Sequence, residues 1–345
     1  MIAALDATPL TIPTGGVTRY TLELSRALAA QNIADQYWLL SDQLFGMPAP
    51  VLPNLHKGDG PRTGAERRWW LWGLEREMIR RGVEVFHGTD FSVPYIPRRP
   101  SVMTVHDLSP WVLEDASMRV RRRVPLLLWA RIPTMIITPS EAVRRAAISR
   151  FKLDEERVAA VPLAASNHFR PVEAEPPATP YFLFVGTLES RKNIARLIAA
   201  WREVRKSQEV DLVLAGRLRD NFTPPADEPG LRVLGAVPDE DLPALYSGAI
   251  AFVYPSLYEG FGLPVLEAMQ CGATVITSRD PAIMEVSGGA AIHVEATDVR
   301  ALIEVMRARP VRREDSLKRA ALFSWSRTAQ KTREVYDVAI GLFRR

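Results

Sequence analysis

The sequence predicts an α/β protein built from two Rossmann-like domains that face a central cleft. Short apolar segments alternate with amphipathic segments through both halves of the chain, a pattern typical of parallel sheets whose strands are joined by helices. A length of 345 residues exceeds what one ordinary core accommodates. A proline-rich stretch at 171–180 separates the two alternating series. We therefore predict domains at 1–172 and 173–324, followed by a helical segment at 325–345.

In the first half, the apolar runs have the length of buried strands, and the segments between them have helical periodicity. The predicted strands are 2–5, 37–40, 83–86, 102–105, 135–138 and 158–161. The predicted helices are 17–30, 66–81, 118–131 and 140–150. Ser140 suits the N-cap of the last of these helices, and Glu141 would complement its dipole.

The second half repeats the alternation after the proline-rich stretch. Its predicted strands are 181–185, 211–215, 231–234, 250–254, 273–277 and 291–294. Its predicted helices are 194–205, 241–247, 264–271 and 299–307. The last segment, 325–343, has a helical pattern and no strand after it. It therefore either crosses back onto the first domain or packs on its own domain.

Composition restricts the class of protein and its partners. The single cysteine, Cys271, excludes an internal disulfide and fits a reducing compartment. No apolar run reaches the ~20 residues that cross a bilayer, and the N-terminus lacks a signal-peptide pattern. We expect a cytoplasmic protein, with the inner membrane face as an alternative location. The net charge of +4, concentrated in the first half, indicates ordinary solvation or attraction to an anionic acceptor or membrane, and we expect no nucleic-acid partner.

The most informative motif lies at 254–267, where Glu259 and Glu267 flank a glycine-rich turn between a predicted strand and a predicted helix. Such turns lie at the carboxyl edge of a parallel sheet, where ligands bind. The carboxylates would accept hydrogen bonds from hydroxyl groups. The backbone amides of the turn would donate to the ligand, and they belong to Gly260, Phe261, Gly262 and Leu263. This combination predicts a polyhydroxylated ligand carrying phosphate, namely a nucleotide sugar.

A second motif supplies positive charge. Arg191 and Lys192 follow the strand predicted at 181–185 and immediately precede a predicted helix. Two cations beside the unpaired amides of a helix N-terminus form an anion-binding site.

These motifs resemble the signature of the family 4 glycosyltransferases, which are retaining, nucleotide-sugar-dependent enzymes of GT-B fold. Other segments match in the expected order along nearly the whole chain. They are the Gly-Gly loop at 15–20, Val105-His106-Asp107, the loop at 186–193 and Phe323-Ser324-Trp325. The sequence looks closest to members that transfer mannose or related sugars in polysaccharide assembly.

The resemblance implies roles for the charged residues of the second half. Arg191 and Lys192 would bind the donor diphosphate and stabilise the departing phosphate oxygens. Glu267 would accept hydrogen bonds from the ribose hydroxyls, although a carboxylate in the first helical turn also complements the helix dipole. Glu259 would bind the donor sugar and support positive charge at the anomeric carbon, rather than act as a covalent nucleophile. The backbone near Val237 would lie beside the nucleotide base.

In the first half, Gly15 and Gly16 precede a predicted helix, so their amides would approach the donor diphosphate without interference from a Cβ atom; the alternative is that the pair only marks a turn. Thr18 stands where family members often carry another glycine. His106 would hydrogen-bond a sugar hydroxyl and assist departure of the leaving group, and a general-base role is less favoured. Asp107 would either orient His106 or cap the next turn.

Two further segments have competing interpretations. Asp239-Glu240-Asp241 imitates a metal-binding Asp-x-Asp motif, but its place before a predicted helix favours helix capping. We predict neither a metal nor another cofactor. The Trp- and Arg-rich helix at 66–81 fits an ordinary packed helix, or alternatively an interfacial helix of an enzyme that acts on a lipid-linked acceptor.

We predict a retaining glycosyltransferase that moves a hexose, with mannose favoured, to a hydroxyl of a glycan or lipid-linked acceptor. GDP-mannose is the favoured donor, and UDP- and dTDP-sugars stay open. The alternatives are a nucleotide-sugar 2-epimerase of the same fold and a catalytically silent nucleotide-binding subunit. A nicotinamide-dependent dehydrogenase is disfavoured because no G-x-G-x-x-G motif follows a strand.

Overall fold

A computed structural model describes residues 1–12, 15–112, 118–173, 177–219 and 222–344. The chain folds into two compact units, each containing a parallel sheet flanked by helices. The first unit combines Met1–Leu163 with Ser324–Arg345, and the second is Ala164–Phe323. The predicted fold class, α/β with two Rossmann-like domains, is confirmed.

Among the described residues, the first unit has a seven-stranded parallel sheet in the order β3-β2-β1-β4-β5-β6-β7. The strands are β1 (Ile2–Asp6), β2 (Gln36–Leu40), β3 (Leu55–Lys57), β4 (Val85–Gly88), β5 (Ser101–Thr104), β6 (Met135–Thr138) and β7 (Val158–Ala160). The helices that accompany them are α1 (Gly16–Gln31), α2 (Leu74–Arg80), α3 (Ser109–Val112), α4 (Met118–Trp129) and α5 (Glu141–Phe151). The short strand β3 was not predicted because Leu-His-Lys contains no apolar run.

The segment predicted as one helix at 66–81 is divided in the structure. A π-helical turn, Trp69–Gly73, leads into α2. Trp69 is buried and packs with Leu74, Met78 and Phe86 in one core cluster. The side of the segment that carries Trp69, Leu74 and Met78 is therefore packed in the core, as the interpretation of an ordinary packed helix predicted. The N-cap prediction for α5 is confirmed, because the Ser140 hydroxyl accepts a hydrogen bond from the amide of Val143 at 3.2 Å.

In the second unit, the part that the structure describes contains a six-stranded parallel sheet in the order β10-β9-β8-β11-β12-β13. The strands are β8 (Tyr181–Val185), β9 (Asp211–Ala215), β10 (Leu231–Gly235), β11 (Ala251–Tyr254), β12 (Val275–Ser278) and β13 (Ile292–Val294). The helices are α6 (Ile194–Arg205), α7 (Leu242–Gly248), α8 (Leu263–Gln270), α9 (Pro281–Ser287), α10 (Val299–Ala308) and α11 (Arg313–Ala320). Helices α9 and α11 were not predicted, because α9 is short and α11 is dominated by charged residues.

The first unit ends at Leu163, earlier than the predicted boundary after residue 172. The reason is hydrogen bonding by the intervening segment. The Gln270 side chain donates to the carbonyls of Ser166 at 3.0 Å and Phe169 at 2.7 Å. The amide of Val172 donates to the Ser247 hydroxyl at 3.1 Å. Residues 164–172 are thus bound to the second unit before the proline-rich stretch, of which residues 174–176 lie outside the described part.

The final helix, α12 (Trp325–Phe343), packs within the first unit. It begins at Ser324, whose hydroxyl accepts a hydrogen bond from the amide of Arg327 at 3.2 Å. Arg333 donates to Asp35 at 2.7 Å, and the same carboxylate accepts from the amino group of Met1 at 2.7 Å. No helix in the described part of the chain combines the length and apolarity needed to span a bilayer.

A buried histidine joins α12 to the sheet. His87 at the end of β4 makes hydrogen bonds with the hydroxyls of Tyr336 and Thr104, each at 2.7 Å. Burial, with a smaller effect of His106, lowers the pKa of His87 from 6.5 to about 3. Between these two values the unfolded chain binds a proton that the folded protein does not. Stability therefore decreases as the pH falls below 6.5, by up to about 1.4 kcal/mol per pH unit.

We expect the wild type to lose about 1.4 kcal/mol more unfolding free energy than His87→Gln when the pH is lowered from about 7.5 to about 5.5. Urea unfolding at both pH values, followed by tryptophan fluorescence, measures this difference. Equal losses in the two proteins would show that His87 does not cause the pH dependence.

Candidate active site

The two motifs of the second half meet where the strand order of the second sheet reverses. Strands β8 and β11 are neighbours at the centre of the sheet, although two strands separate them in the chain. Helices after such a pair diverge and leave a crevice at the carboxyl ends of the strands, which is where open α/β sheets bind ligands. The loop after β8 carries Arg191 and Lys192, and the loop after β11 carries Glu259. The structure therefore brings these three residues together.

Glu259 lies between the two cations. One carboxylate oxygen, Oε1, accepts from the Lys192 ammonium, and the other, Oε2, accepts from the Arg191 guanidinium at 3.0 Å. The guanidinium also donates to the carbonyl of Tyr258 at 2.9 Å. In return, the carbonyl of Arg191 accepts from the amide of Leu257 at 2.8 Å. Both loops are thus fixed to each other through main chain and side chains.

The electrostatics of this cluster keep Glu259 ionised. Glu259 and Lys192 are both buried, and the Lys192 ammonium also hydrogen-bonds the Tyr254 hydroxyl. Burial opposes ionisation of the carboxyl group, but Lys192 and Arg191 outweigh it and lower the pKa of Glu259 to about 2. The result is a preorganised group of two cations and one anion at the end of the sheet. It can bind phosphate oxygens and sugar hydroxyls side by side.

Sequence reasoning missed three partners of this cluster. Glu189 is buried and accepts from Arg191 at 2.7 Å and from Arg219 at 2.5 Å, so that it positions both guanidinium groups. Asp280 accepts from the amide of Glu259 at 3.2 Å. Glu189 lies inside the motif at 186–193 and was available as a signal. Arg219 and Asp280 follow other strands, and no spacing in the sequence points to them.

The glycine-rich turn before α8 has the geometry that a glycine requires. Gly262 adopts a φ of 95° directly before the helix, a conformation that residues with a Cβ rarely adopt. Its carbonyl accepts from the amide of Val265 at 3.0 Å. Gly260 and Phe261 are buried in the same turn, and Leu263 is the first residue of α8.

Glu267 occupies a different position from the one predicted. It lies beyond the first turn of α8, so its predicted place in that turn is wrong, and so is the alternative role as a complement to the helix dipole. Its carboxylate is buried and accepts from the Tyr246 hydroxyl at 3.2 Å.

The region around Val237 lies between β10, at one edge of the sheet, and α7. Val237 itself is half-buried. Asp241 directly precedes α7 but makes no capping hydrogen bond with its side chain, so the capping prediction is wrong for this residue. Within the described ranges, no three His, Cys, Asp or Glu side chains are grouped so that they could hold a metal ion.

In the first unit, Gly15 and Gly16 stand at the beginning of α1. Gly15 has a φ of 143°, which suits glycine, and Gly16 is the first residue of the helix. The hydroxyl of Thr18 donates to the carbonyl of Pro9 at 3.0 Å. This contact ties the helix to the loop after β1 and explains how a threonine is accommodated here.

His106 lies just beyond β5. Its Nε2 donates to the carbonyl of Thr89 at 2.7 Å. The ring of Tyr20 packs edge-on against the His106 ring, with 4.9 Å between the ring centroids. In the neutral ring this leaves Nδ1 as an acceptor suited to a hydroxyl group. Asp107 accepts from the amide and the hydroxyl of Ser109 at 2.9 and 2.6 Å. Asp107 therefore caps the start of α3, which resolves the two alternatives for this residue.

The first unit also contains a cavity of about 1010 Å³ beside Gly15 and Gly16. Carboxylates, guanidinium groups and aromatic rings line it together, including Asp6, Asp90, Arg67, Arg123, Trp70 and Tyr95. Asp6 is buried at the end of β1, where it accepts from the Ser92 hydroxyl at 2.6 Å, and burial raises its pKa. A cavity of this composition suits a polyhydroxylated molecule. Nothing in the spacing of these residues had indicated it.

Comparison with known proteins gives a consistent result. The family model Glycosyltransferase Family 4 matches residues 14–166, and Glycosyl transferases group 1 matches residues 166–308. The chain is 30% identical to O-antigen chain mannosyltransferase B of Escherichia coli, over 96% of this chain and 98% of that protein. It is 28% identical to O-antigen chain mannosyltransferase RfbU of Salmonella typhimurium, over 82% and 84% respectively. Sucrose-phosphate synthase from Thermosynechococcus elongatus has the same fold, with a TM-score of 0.76, 20% identity and 99% of both chains covered.

Proposed function

This chain belongs to family 4 of the glycosyltransferases, which have the GT-B fold, and from that membership we propose its donor, acceptor and stereochemistry. It transfers a hexose, mannose by preference, from a nucleotide sugar to a hydroxyl of a glycan or lipid-linked acceptor. The anomeric configuration is retained, and the reaction belongs to polysaccharide or glycoconjugate assembly. Two similar chains named as O-antigen chain mannosyltransferases support the choice of mannose as the sugar, and GDP-mannose is the donor that we propose.

One observation carries the proposal, the ionised Glu259 held between Arg191 and Lys192 at the reversal point of the second sheet. The donor diphosphate accepts hydrogen bonds from both cations, and Glu259 accepts from a hydroxyl of the donor sugar. The bond between the anomeric carbon and the phosphate oxygen breaks as the acceptor oxygen bonds to the same face of that carbon. The acceptor proton passes to the departing phosphate. Negative charge that develops on this phosphate is stabilised by Arg191 and Lys192, so the chemistry needs no metal.

The other site residues complete the binding of the donor. Gly15 and Gly16 present backbone amides to the diphosphate. Nδ1 of His106 accepts from a sugar hydroxyl. Glu267 accepts from the ribose hydroxyls. The backbone at Val237 and the turn at 260–263 contact the nucleoside.

The test is incubation of the protein with GDP-mannose, UDP-sugars and dTDP-sugars, each with a mannose-containing oligosaccharide acceptor. We expect consumption of GDP-mannose that depends on the acceptor, is unchanged by EDTA, and gives a product with the donor's anomeric configuration by NMR. A donor at about 100 times its Kd should also add ~2.7 kcal/mol of stability in a thermal-shift experiment.

Each alternative has a distinct outcome in this test. An isomerised or eliminated sugar in the absence of acceptor would identify an epimerase. Donor binding without turnover of any nucleotide sugar would identify a silent binding subunit. Inversion at the anomeric carbon would contradict the proposed same-face route.

A further inference from the structure

Helix α4 presents apolar and cationic side chains to solvent on one side. Trp129 is 84% exposed, Leu126 is 66% exposed and Met118 is 53% exposed. Arg119 and Arg122 are exposed beside them. Their spacing of three or four residues places these five side chains on one side of the helix, which we call the α4 face.

The orientation of the α4 face is fixed by the opposite side of the helix. Val124, Leu127 and Leu128 are buried in the first unit. Pro125 has no N–H to bond the carbonyl of Arg121, four residues earlier. The indole N–H of Trp111 donates to that carbonyl instead, at 3.1 Å. The helix therefore stays intact through its proline and keeps the α4 face outward.

The charge of α4 indicates what the face contacts. Its twelve residues include four arginines and no acidic residue. A cationic helix with exposed tryptophan and leucine matches an anionic lipid surface, which attracts the arginines while the apolar side chains enter the headgroup region. Duplex nucleic acid would satisfy the arginines through its phosphates but would leave Leu126 and Trp129 exposed to water.

The α4 face is also continuous with the large cavity of the first unit. Arg119 and Arg123 border a shallow groove of about 390 Å³ along α4, together with Met118, Arg122 and Leu126. Both arginines also line the 1010 Å³ cavity, where they join Arg67 and Leu71 of the segment before α2. A molecule held in the lipid headgroup region would therefore meet the mouth of this cavity along the same helix.

We propose that the α4 face docks on a bilayer containing anionic phospholipid. The contact is peripheral, through α4 rather than through the packed segment at 66–81. Docking does not depend on the proposed function, because it is measured as binding without any transfer reaction.

The experiment is co-sedimentation of the full chain with vesicles of phosphatidylcholine alone or with about 30 mol% phosphatidylglycerol. We expect binding only to the anionic vesicles, with a loss when the salt is raised to about 1 M. Arg119→Glu with Arg122→Glu should weaken the partition coefficient about tenfold or more, since both attractive charges become repulsive. Trp129→Ser should weaken it several-fold by removing an apolar anchor.

Matched controls make the same change of charge elsewhere, or remove an exposed apolar side chain elsewhere. Arg300→Glu with Lys331→Glu alters two exposed cations outside α4, and Leu44→Ser removes an exposed leucine. Both controls should bind like the wild type, and circular dichroism should show that every variant is folded. Equal binding to neutral and anionic vesicles would overturn the proposal. Unchanged binding by the α4 variants, or binding to single-stranded nucleic acid in place of vesicles, would also overturn it.

Discussion

Glu259→Gln is expected to lower kcat by roughly 10²–10³-fold, one of the two largest effects that the site predicts. The amide keeps the shape of the side chain but removes the negative charge that faces the donor sugar. It also leaves the buried Lys192 ammonium without its counter-charge. Support for positive charge at the anomeric carbon is then lost in the transition state. The measurement is the initial rate at saturating donor and acceptor, at a temperature well below unfolding.

The control for this prediction is Glu228→Gln. Glu228 also pairs with an arginine of the second unit, Arg202 at 2.7 Å, but it precedes β10 and does not belong to the loops after β8 and β11. That variant should retain full activity. Removing one partner of a buried ion pair typically costs about 3–5 kcal/mol, so thermal unfolding must show that Glu259→Gln is folded during the assay. A folded Glu259→Gln protein with near-normal kcat would contradict the role given to this carboxylate.

Arg191→Ala is expected to lower kcat/KM for the donor by about 10³-fold, because the guanidinium serves both binding and leaving-group stabilisation. Its nitrogens donate to Glu189 at 2.7 Å, to Glu259 at 3.0 Å and to the carbonyl of Tyr258 at 2.9 Å. These three contacts hold the group rigid in the absence of donor. Alanine removes the charge and takes one hydrogen-bond donor from each acidic side chain, while Lys192 still pairs with Glu259 and Arg219 with Glu189. Calorimetry of nucleotide binding measures the loss of donor binding, and steady-state kinetics measures the loss of leaving-group stabilisation.

Arg202→Ala is the matched arginine variant, since it removes a guanidinium paired with Glu228 on the same unit. It should change kcat/KM less than twofold, as expected for an exposed pair. If Arg191→Ala bound the nucleotide and turned over like Arg202→Ala, the diphosphate would have to lie elsewhere.

Much of the fold could be predicted because the strands that form the two sheet centres are buried on both faces. Segments such as 181–185 and 251–254 are uninterrupted apolar runs, which periodicity recognises without tertiary information. Strand β3 and helix α11 could not be predicted, because their local sequences are polar and their structure depends on contacts with neighbouring elements. The domain boundary could not be predicted either, since the hydrogen-bond partners of residues 166–172 lie about 75 to 104 positions away in the chain.

The site shows the same division between local and long-range information. Arg191, Lys192 and Glu259 could be predicted together because each follows a central strand, and parallel strands end at one edge. The contribution of Asp280 depends on the turn after a third strand, which no local pattern reveals. Asp107 had two local interpretations, and only the position of Ser109 decided between them.

The packing of α12 against the first unit has a consequence for biosynthesis. The ribosome makes the α12 residues that hydrogen-bond Asp35 and His87 only after the whole second unit has been made. During translation, the surface of the first unit that α12 covers therefore stays exposed while the second unit is made. We expect the first unit to fold fully only once α12 has been made, which is after synthesis of the second unit.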